Sequence, residues 1–89
     1  MKSSATEKFW KAFEKLPSHI QRKARASYQL WKENPYHPSL QFKQIHPIKP
    51  IYSTRIGIGW RAVGVKDGDE IVWFWIGSHE EYNNLISQL

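Results

Sequence analysis

The sequence predicts an α+β fold: an N-terminal helical hairpin packed on an antiparallel sheet of about four strands, with a short C-terminal helix. Three observations predict it. Up to Glu33 the apolar residues recur at helical spacing, broken at Pro17. From Leu40 the pattern changes to short strand-like runs separated by Pro, Gly-Ile-Gly and Asp-Gly signals. The last run, Ile71 to Ile76, is apolar at every position, as a central strand covered on both faces would be.

The elements follow in order. Ser4-Ala-Thr-Glu7 reads as a capping box with Ser4 as N-cap, and Phe9, Phe13 and Leu16 then form one apolar stripe. Pro17 ends that helix. Ser18-His-Ile-Gln21 repeats the capping pattern and opens a second helix. It buries Ile20, Ala24, Ser27/Tyr28 and Trp31 and turns Arg22, Lys23, Arg25 and Lys32 outward. Asn34-Pro35 stops it, because a proline disfavours helix in the residue before it. Leu40 to Ile45 alternates as a strand, with Lys43 on the face opposite Phe42, and the rigid His46–Pro50 loop follows. Tyr52–Ile56 and Trp60–Lys66 are the next strands. Asp67-Gly68 signals a type I′ hairpin, both of whose central positions need positive φ. Ser78 caps a last helix through Leu89, with Glu80 and Glu81 in its first turn. The expected order is α-α-β-β-β-β-α, with the helices gathered on one face.

Eighty-nine residues make one domain, residues 1–89, with limited capacity to bury a core. Five Trp, four Tyr and four Phe compensate, since each buries a large area. No cysteine is present, which excludes disulfides and thiolate metal sites and fits a reducing cytoplasm. The charged N-terminus does not fit a signal peptide, and no apolar run reaches the ~20 residues a membrane helix needs. The charge is uneven. Net charge is +5, and from Lys15 to Lys66 ten Lys or Arg stand against the single acid Glu33. Such a block attracts polyanions, nucleic acid first, with an acidic protein partner as the alternative.

The turn Gly57-Ile58-Gly59 carries the sharpest local argument. A three-residue loop sets Arg55 directly opposite Arg61 on one face; a two-residue loop sends them to opposite faces. Like charges directly opposite destabilise a sheet, so the first arrangement asks for an anion between them. Extending the register through Asp67-Gly68 puts Val63, Val72, Phe74 and Ile76 on the arginine face. The other face takes Trp60, Ala62, Gly64, Trp73 and Trp75. The arginine face is then a half-apolar partner surface, unless the last helix folds back over it.

His79 opens that helix and Tyr82 lies one turn on. Histidine titrates near neutrality and moves protons, although at a helix start it is also an ordinary capping or surface residue. His19, His37 and His46 offer no zinc spacing, and no phosphate loop or carboxylate pair stands out, so neither metal nor cofactor is expected. Metal-free RNA cleavage fits this inventory: the ribose 2′-oxygen attacks phosphorus, arginines stabilise the charge, and His79 moves a proton. Tyr82 and a Trp would stack on a splayed base.

In these segments the chain resembles a known family. LPSHIQRKARASYQLWKENPYHPSLQFKQI, YSTRIGIGWRAVGV and VWFWIGSHEEYNNLI are similar to toxins of the RelE/ParE superfamily of type II toxin–antitoxin systems, from about Phe9 to Ile86. The hallmarks are Y-x-x-R…[YW]-R-A and the closing W-x-G-x-H-x-x-Y. The resemblance implies a RelE-like fold and a metal-independent endoribonuclease that cuts messenger RNA, in many members on the translating ribosome. It implies a cognate antitoxin partner, with operator DNA reached only through that complex. It assigns RNA binding to Lys43, Arg55 and Arg61, and catalysis to Arg55, Arg61, His79 and Tyr82. A ParE-like inhibitor of DNA gyrase and a catalytically inactive, protein-binding member are the alternatives. Two departures accompany the likeness. Many members open with a strand where this chain is expected to open with a helix, leaving one sheet edge missing or supplied by another chain. Some members also carry a further arginine near the C-terminal segment, and Gly77-Ser78-His79-Glu80-Glu81 has none.

Overall fold

A computed structural model describes residues 1–89. Its first residues overturn the expected opening. Lys2–Ala5 is a strand, β1, and Ser4 caps nothing. Thr6 is the N-cap of α1 (Glu7–Glu14), its Oγ1 accepting from the Phe9 amide at 3.2 Å. β1 runs parallel to the strand Glu70–Ser78 (β5), with Lys2 beside Glu70 and Ala5 beside Trp73. The sheet edge expected to be missing is therefore supplied by the chain's own first residues.

Pro17 then serves both helices, ending α1 and standing as the N-cap of α2 (Ser18–Glu33). Ser18 makes no cap. Instead the Gln21 side chain reaches back and donates to the carbonyls of Phe13, Glu14 and Leu16 at 3.2, 3.3 and 3.1 Å, covering the C-terminal end of α1. The strand expected over Leu40–Ile45 shrinks to Lys43–Gln44 (β2), because Pro38–Leu40 winds into a 3-10 turn and Gln41 sits at φ 48°. β3 (Ile51–Arg55) and β4 (Trp60–Asp67) complete a five-stranded sheet of order β1-β5-β4-β3-β2, antiparallel except for β1.

Two register details decide the faces. Gly57 and Gly59, at φ 57° and 84°, hold a three-residue loop closed by the Ile56 amide on the Trp60 carbonyl at 2.9 Å. Arg55 therefore lies opposite Arg61. In the next hairpin Asp67 pairs with Glu70, so Gly68-Asp69 is the turn and not Asp67-Gly68. That shift alone keeps the expected faces. A bulge beyond it does not: Gly64 pairs with Trp73 but Val63 with Trp75, leaving Phe74 as the extra residue. Trp75 thereby joins the arginine face, and Ile76, paired with Ala62, joins the opposite one.

The helices are not gathered on one side. α1 and α2 cover one face with Phe13, Ala24 and Trp31 over Ile56, Ala62, Ile71, Trp73 and Ile76. α3 (His79–Ser87) covers the other, burying Tyr82 with Ile51 and Val63. The arginine face is thus partly roofed by the last helix, as its apolar content requires. Close packing is tight at Gly64, where an added Cβ would lie 2.9 Å from the Val72 carbonyl oxygen and 3.0 Å from Ile71 and Trp73 side-chain atoms. Gly64→Ala is expected to lower stability by about 1–3 kcal/mol, read as an earlier urea midpoint at unchanged slope.

Candidate functional site

Cross-strand rows define the site. Lys43, Ser53, Val63 and Trp75 form one row; Arg55, Arg61 and Gly77 form the next, on the same face. Arg61 reaches from β4 across β3 and donates from Nη2 to Gln41 Oε1 at 3.1 Å. Its guanidinium carbon lies 5.4 Å from the centroid of the Tyr82 ring, within cation–π range. Its other terminal nitrogen, Nη1, is buried with no partner in the chain. A buried N–H of a permanent cation is costly to leave unpaired, and an anion is its natural complement.

Arg55 is half-buried, and its Nε donates to the Gly57 carbonyl at 3.2 Å, which turns it along the strand toward the glycine loop. The same loop is flanked by Lys23 of α2, whose Cδ and Nζ would lie 3.2 and 3.7 Å from a Cβ at Gly57. The sequence assigned Lys23 to an outward, solvated face. Gln41 carried no signal either. It is the one non-glycine residue at positive φ, and such strain persists where a side chain is needed in place.

α3 brings the remaining groups. Ser78 and Glu81 form the capping box, with the Glu81 carboxylate accepting from the Ser78 amide and hydroxyl at 3.2 and 2.9 Å. The carboxylate is thus turned back on the cap. The His79 amide donates to the Gly59 carbonyl at 2.7 Å, tying the start of α3 to the glycine loop. The exposed His79 ring stacks on Tyr82 with centroids 5.7 Å apart and planes 26° from parallel. Tyr82 itself is buried, and its hydroxyl donates to Ser53 Oγ at 3.3 Å. Tyr82 is 6% exposed, with His79 and Arg61 both packed against it, so little of its ring is open to the base expected to stack there.

Tyr82 thus carries both Arg61 and His79, the His79 amide is tied to the glycine loop, and Lys43 lies on the same face one row away. Arg55 and Arg61 stand opposite each other in the backbone register, with the Arg55 guanidinium bonded at Gly57 and that of Arg61 at Gln41. Two of the other histidines do local work: His37 Nδ1 accepts from the Ser39 amide, and His46 Nδ1 from the amides of Ile48 and Lys49. One side-chain ion pair exists, Lys11–Glu7 on α1, so the site's cations have no carboxylate partners. No helix is long and apolar enough to cross a membrane.

Comparison with known proteins agrees with this architecture. Solved structures that superpose on the chain include the RelB–RelE antitoxin–toxin complex of Methanococcus jannaschii, with TM-score 0.72, 17% identity, and 91% of this chain and 95% of that one covered. The isolated RelE toxin of E. coli superposes with TM-score 0.66 at 15% identity, covering 98% and 96%. YafQ of E. coli strain BL21(DE3) does so with TM-score 0.72 at 10% identity, covering 91% and 96%. A search of curated proteins finds no match. The family description ParE-like toxin domain matches residues 18–84, from the start of α2 to the middle of α3. The chain belongs to the ParE-like toxin domain family.

Proposed function

We propose that this toxin domain is a metal-independent endoribonuclease acting on messenger RNA, ribosome-bound in its productive form, and held in check by a cognate antitoxin. The observation that carries the reading is the arginine row with an unpartnered, buried Arg61 Nη1, set beside an exposed histidine. The ribose 2′-oxygen bonds to phosphorus as the 5′-oxygen leaves, giving a 2′,3′-cyclic phosphate and a 5′-hydroxyl. Arg61 and Arg55 hold the phosphoryl oxygens as negative charge gathers there. His79 moves a proton between RNA and solvent, and Lys43 and Lys23 hold the flanking backbone. Tyr82 and Gln41 position Arg61. An antitoxin partner is supported by the RelB–RelE complexes among the structural neighbours.

Primer extension on messenger RNA after induced expression tests this. Discrete new 5′ ends within minutes of induction are the expected result; intact transcripts would sink the reading. The family's ParE-like description favours one other function, inhibition of DNA gyrase, which needs a binding surface but no phosphate site. Intact messages together with loss of supercoiling activity in a gyrase assay would favour it.

Two variants probe the roles. His79→Gln is expected to slow single-turnover cleavage by roughly 10²–10⁴-fold while RNA affinity stays unchanged. An unaltered rate would remove His79 from the chemistry. Gln41→Gly relieves the left-handed backbone and is expected to match or exceed the parent in stability, by up to about 1 kcal/mol. It also frees Arg61, so cleavage falls although the fold gains. A variant both stable and fully active would show that Gln41 positions nothing.

A further inference from the structure

The tip of the glycine loop carries Ile58, which is 84% exposed. Two features separate it from an ordinary surface isoleucine. The first is that the loop is fixed. The Ile56 amide closes it on the Trp60 carbonyl at 2.9 Å, the Gly57 carbonyl accepts from Arg55 Nε at 3.2 Å, and the Gly59 carbonyl accepts from the His79 amide at 2.7 Å. Gly57 and Gly59 take the positive φ values of the turn, so the residue between them needs none. Being β-branched, Ile58 is also stiff at χ1.

The second feature is its surroundings. Arg55 is bonded at Gly57, the Lys23 side chain flanks Gly57, and the start of α3 with His79 is tied to Gly59. Two cations and an imidazole thus border one apolar tip. A single RNA strand asks for this combination, charge for its phosphates and an apolar contact for a base. Tyr82, expected to meet that base, is buried, which leaves the contact to another residue. The chemistry needs one. In-line attack requires the 2′-oxygen, phosphorus and the leaving 5′-oxygen in a row, and a continuously stacked strand does not hold them so; the nucleotides on either side must be splayed. Apolar side chains, isoleucine among them, open base steps by wedging between them.

We propose that Ile58 is the substrate-positioning wedge of this site, entering between the two bases that flank the scissile phosphate while Arg55 and Lys23 hold the strand beside it. The inference deepens the nuclease reading and rests on it. The three hydrogen bonds that fix the loop let the wedge push without yielding, and they keep it in step with the arginine row and with His79.

The test uses ribosomes programmed with a message whose cleavage site has been mapped by primer extension. Ile58→Ala, an exposed substitution that spares the core, is expected to slow single-turnover cleavage roughly ten- to hundredfold, the loss of most of one isoleucine's burial. Ile58→Leu is expected to restore most of the rate. Ile48→Ala, at an isoleucine 85% exposed in the loop between β2 and β3, is expected to match the parent. The same message is then made with a 2′-deoxy nucleotide at the attacking position and 2-aminopurine as the next base, which fluoresces more strongly when unstacked. The parent is expected to brighten it saturably, and Ile58→Ala to leave it dim. Parent-level brightening by saturating Ile58→Ala would overturn the wedge, and if ribosome binding alone had weakened it would make Ile58 a ribosome contact instead. No brightening by a parent that cleaves would also overturn it, with the nuclease reading intact. A message left uncut by the parent would sink both.

Discussion

Arg61→Ala is expected to abolish the growth arrest that follows induced expression without antitoxin, while the purified variant keeps the parent's circular dichroism spectrum. The guanidinium is half-buried at the centre of the site, donating to Gln41, resting on Tyr82 and carrying the unpartnered Nη1. Removing one preorganised donor from a developing oxyanion typically costs ~10²–10³-fold in rate. An inhibitor that must outpace synthesis of new message would not survive such a loss. Truncation also removes an unpaired buried N–H, which limits the structural cost. Arg61→Lys is expected to fail nearly as fully, because an ammonium cannot hold Gln41 and a phosphate in the planar fork that arginine offers. Toxicity kept at the parent level in Arg61→Ala would exclude the phosphate-binding role and turn attention to gyrase.

Tyr82→Ala is expected to be the most destabilising single change on the α3 side. The ring fills the space between α3 and the β3–β4 floor, in a cluster with Ile51 and Val63, and supports both His79 and Arg61. Deleting a buried aromatic to alanine costs about 3–5 kcal/mol, a large share of a small domain's stability. At roughly 4–8 °C per kcal/mol for a domain of this size, the thermal midpoint should fall by about 12 °C or more. Tyr82→Phe separates the contributions. It keeps the packing and loses only the 3.3 Å bond to Ser53, worth about 1 kcal/mol. A midpoint in Tyr82→Ala as high as in Tyr82→Phe would mean that α3 is held by something other than this ring.

The helical hairpin and the glycine loop were legible because their causes are local. Pro17 ends one helix wherever the rest of the chain lies, and of the two loop lengths the sequence allowed, the three-residue Gly57-Ile58-Gly59 loop puts Arg55 across from Arg61. β1 was hidden by an ambiguity in four residues: Ser4-Ala-Thr-Glu7 satisfies a capping pattern, and nothing in Lys-Ser-Ser-Ala is β-branched. Only the distant edge of β5 makes it a strand. The bulge at Phe74 was equally invisible. In a run apolar at every position, sliding Trp75 and Ile76 between faces changes no hydrophobic pattern. The side taken by α3 depended on that slide, since Trp75 helps form the apolar surface it covers. The arginines and His79 were picked out as candidates by residue type. The positions of Gln41 and Lys23 beside them were not, because these come from a left-handed backbone and from a helix meeting a loop.

Parallel pairing of Lys2–Ala5 with Glu70–Trp73 also sets a timetable for synthesis. Those partners are separated by nearly the whole chain, so the sheet cannot close at that edge until β5 has left the ribosome. The arginine row waits longer still, because its Tyr82 support and His79 are made last. In a nascent copy the arginine row therefore stays without its Tyr82 support until α3 has emerged and folded onto the sheet.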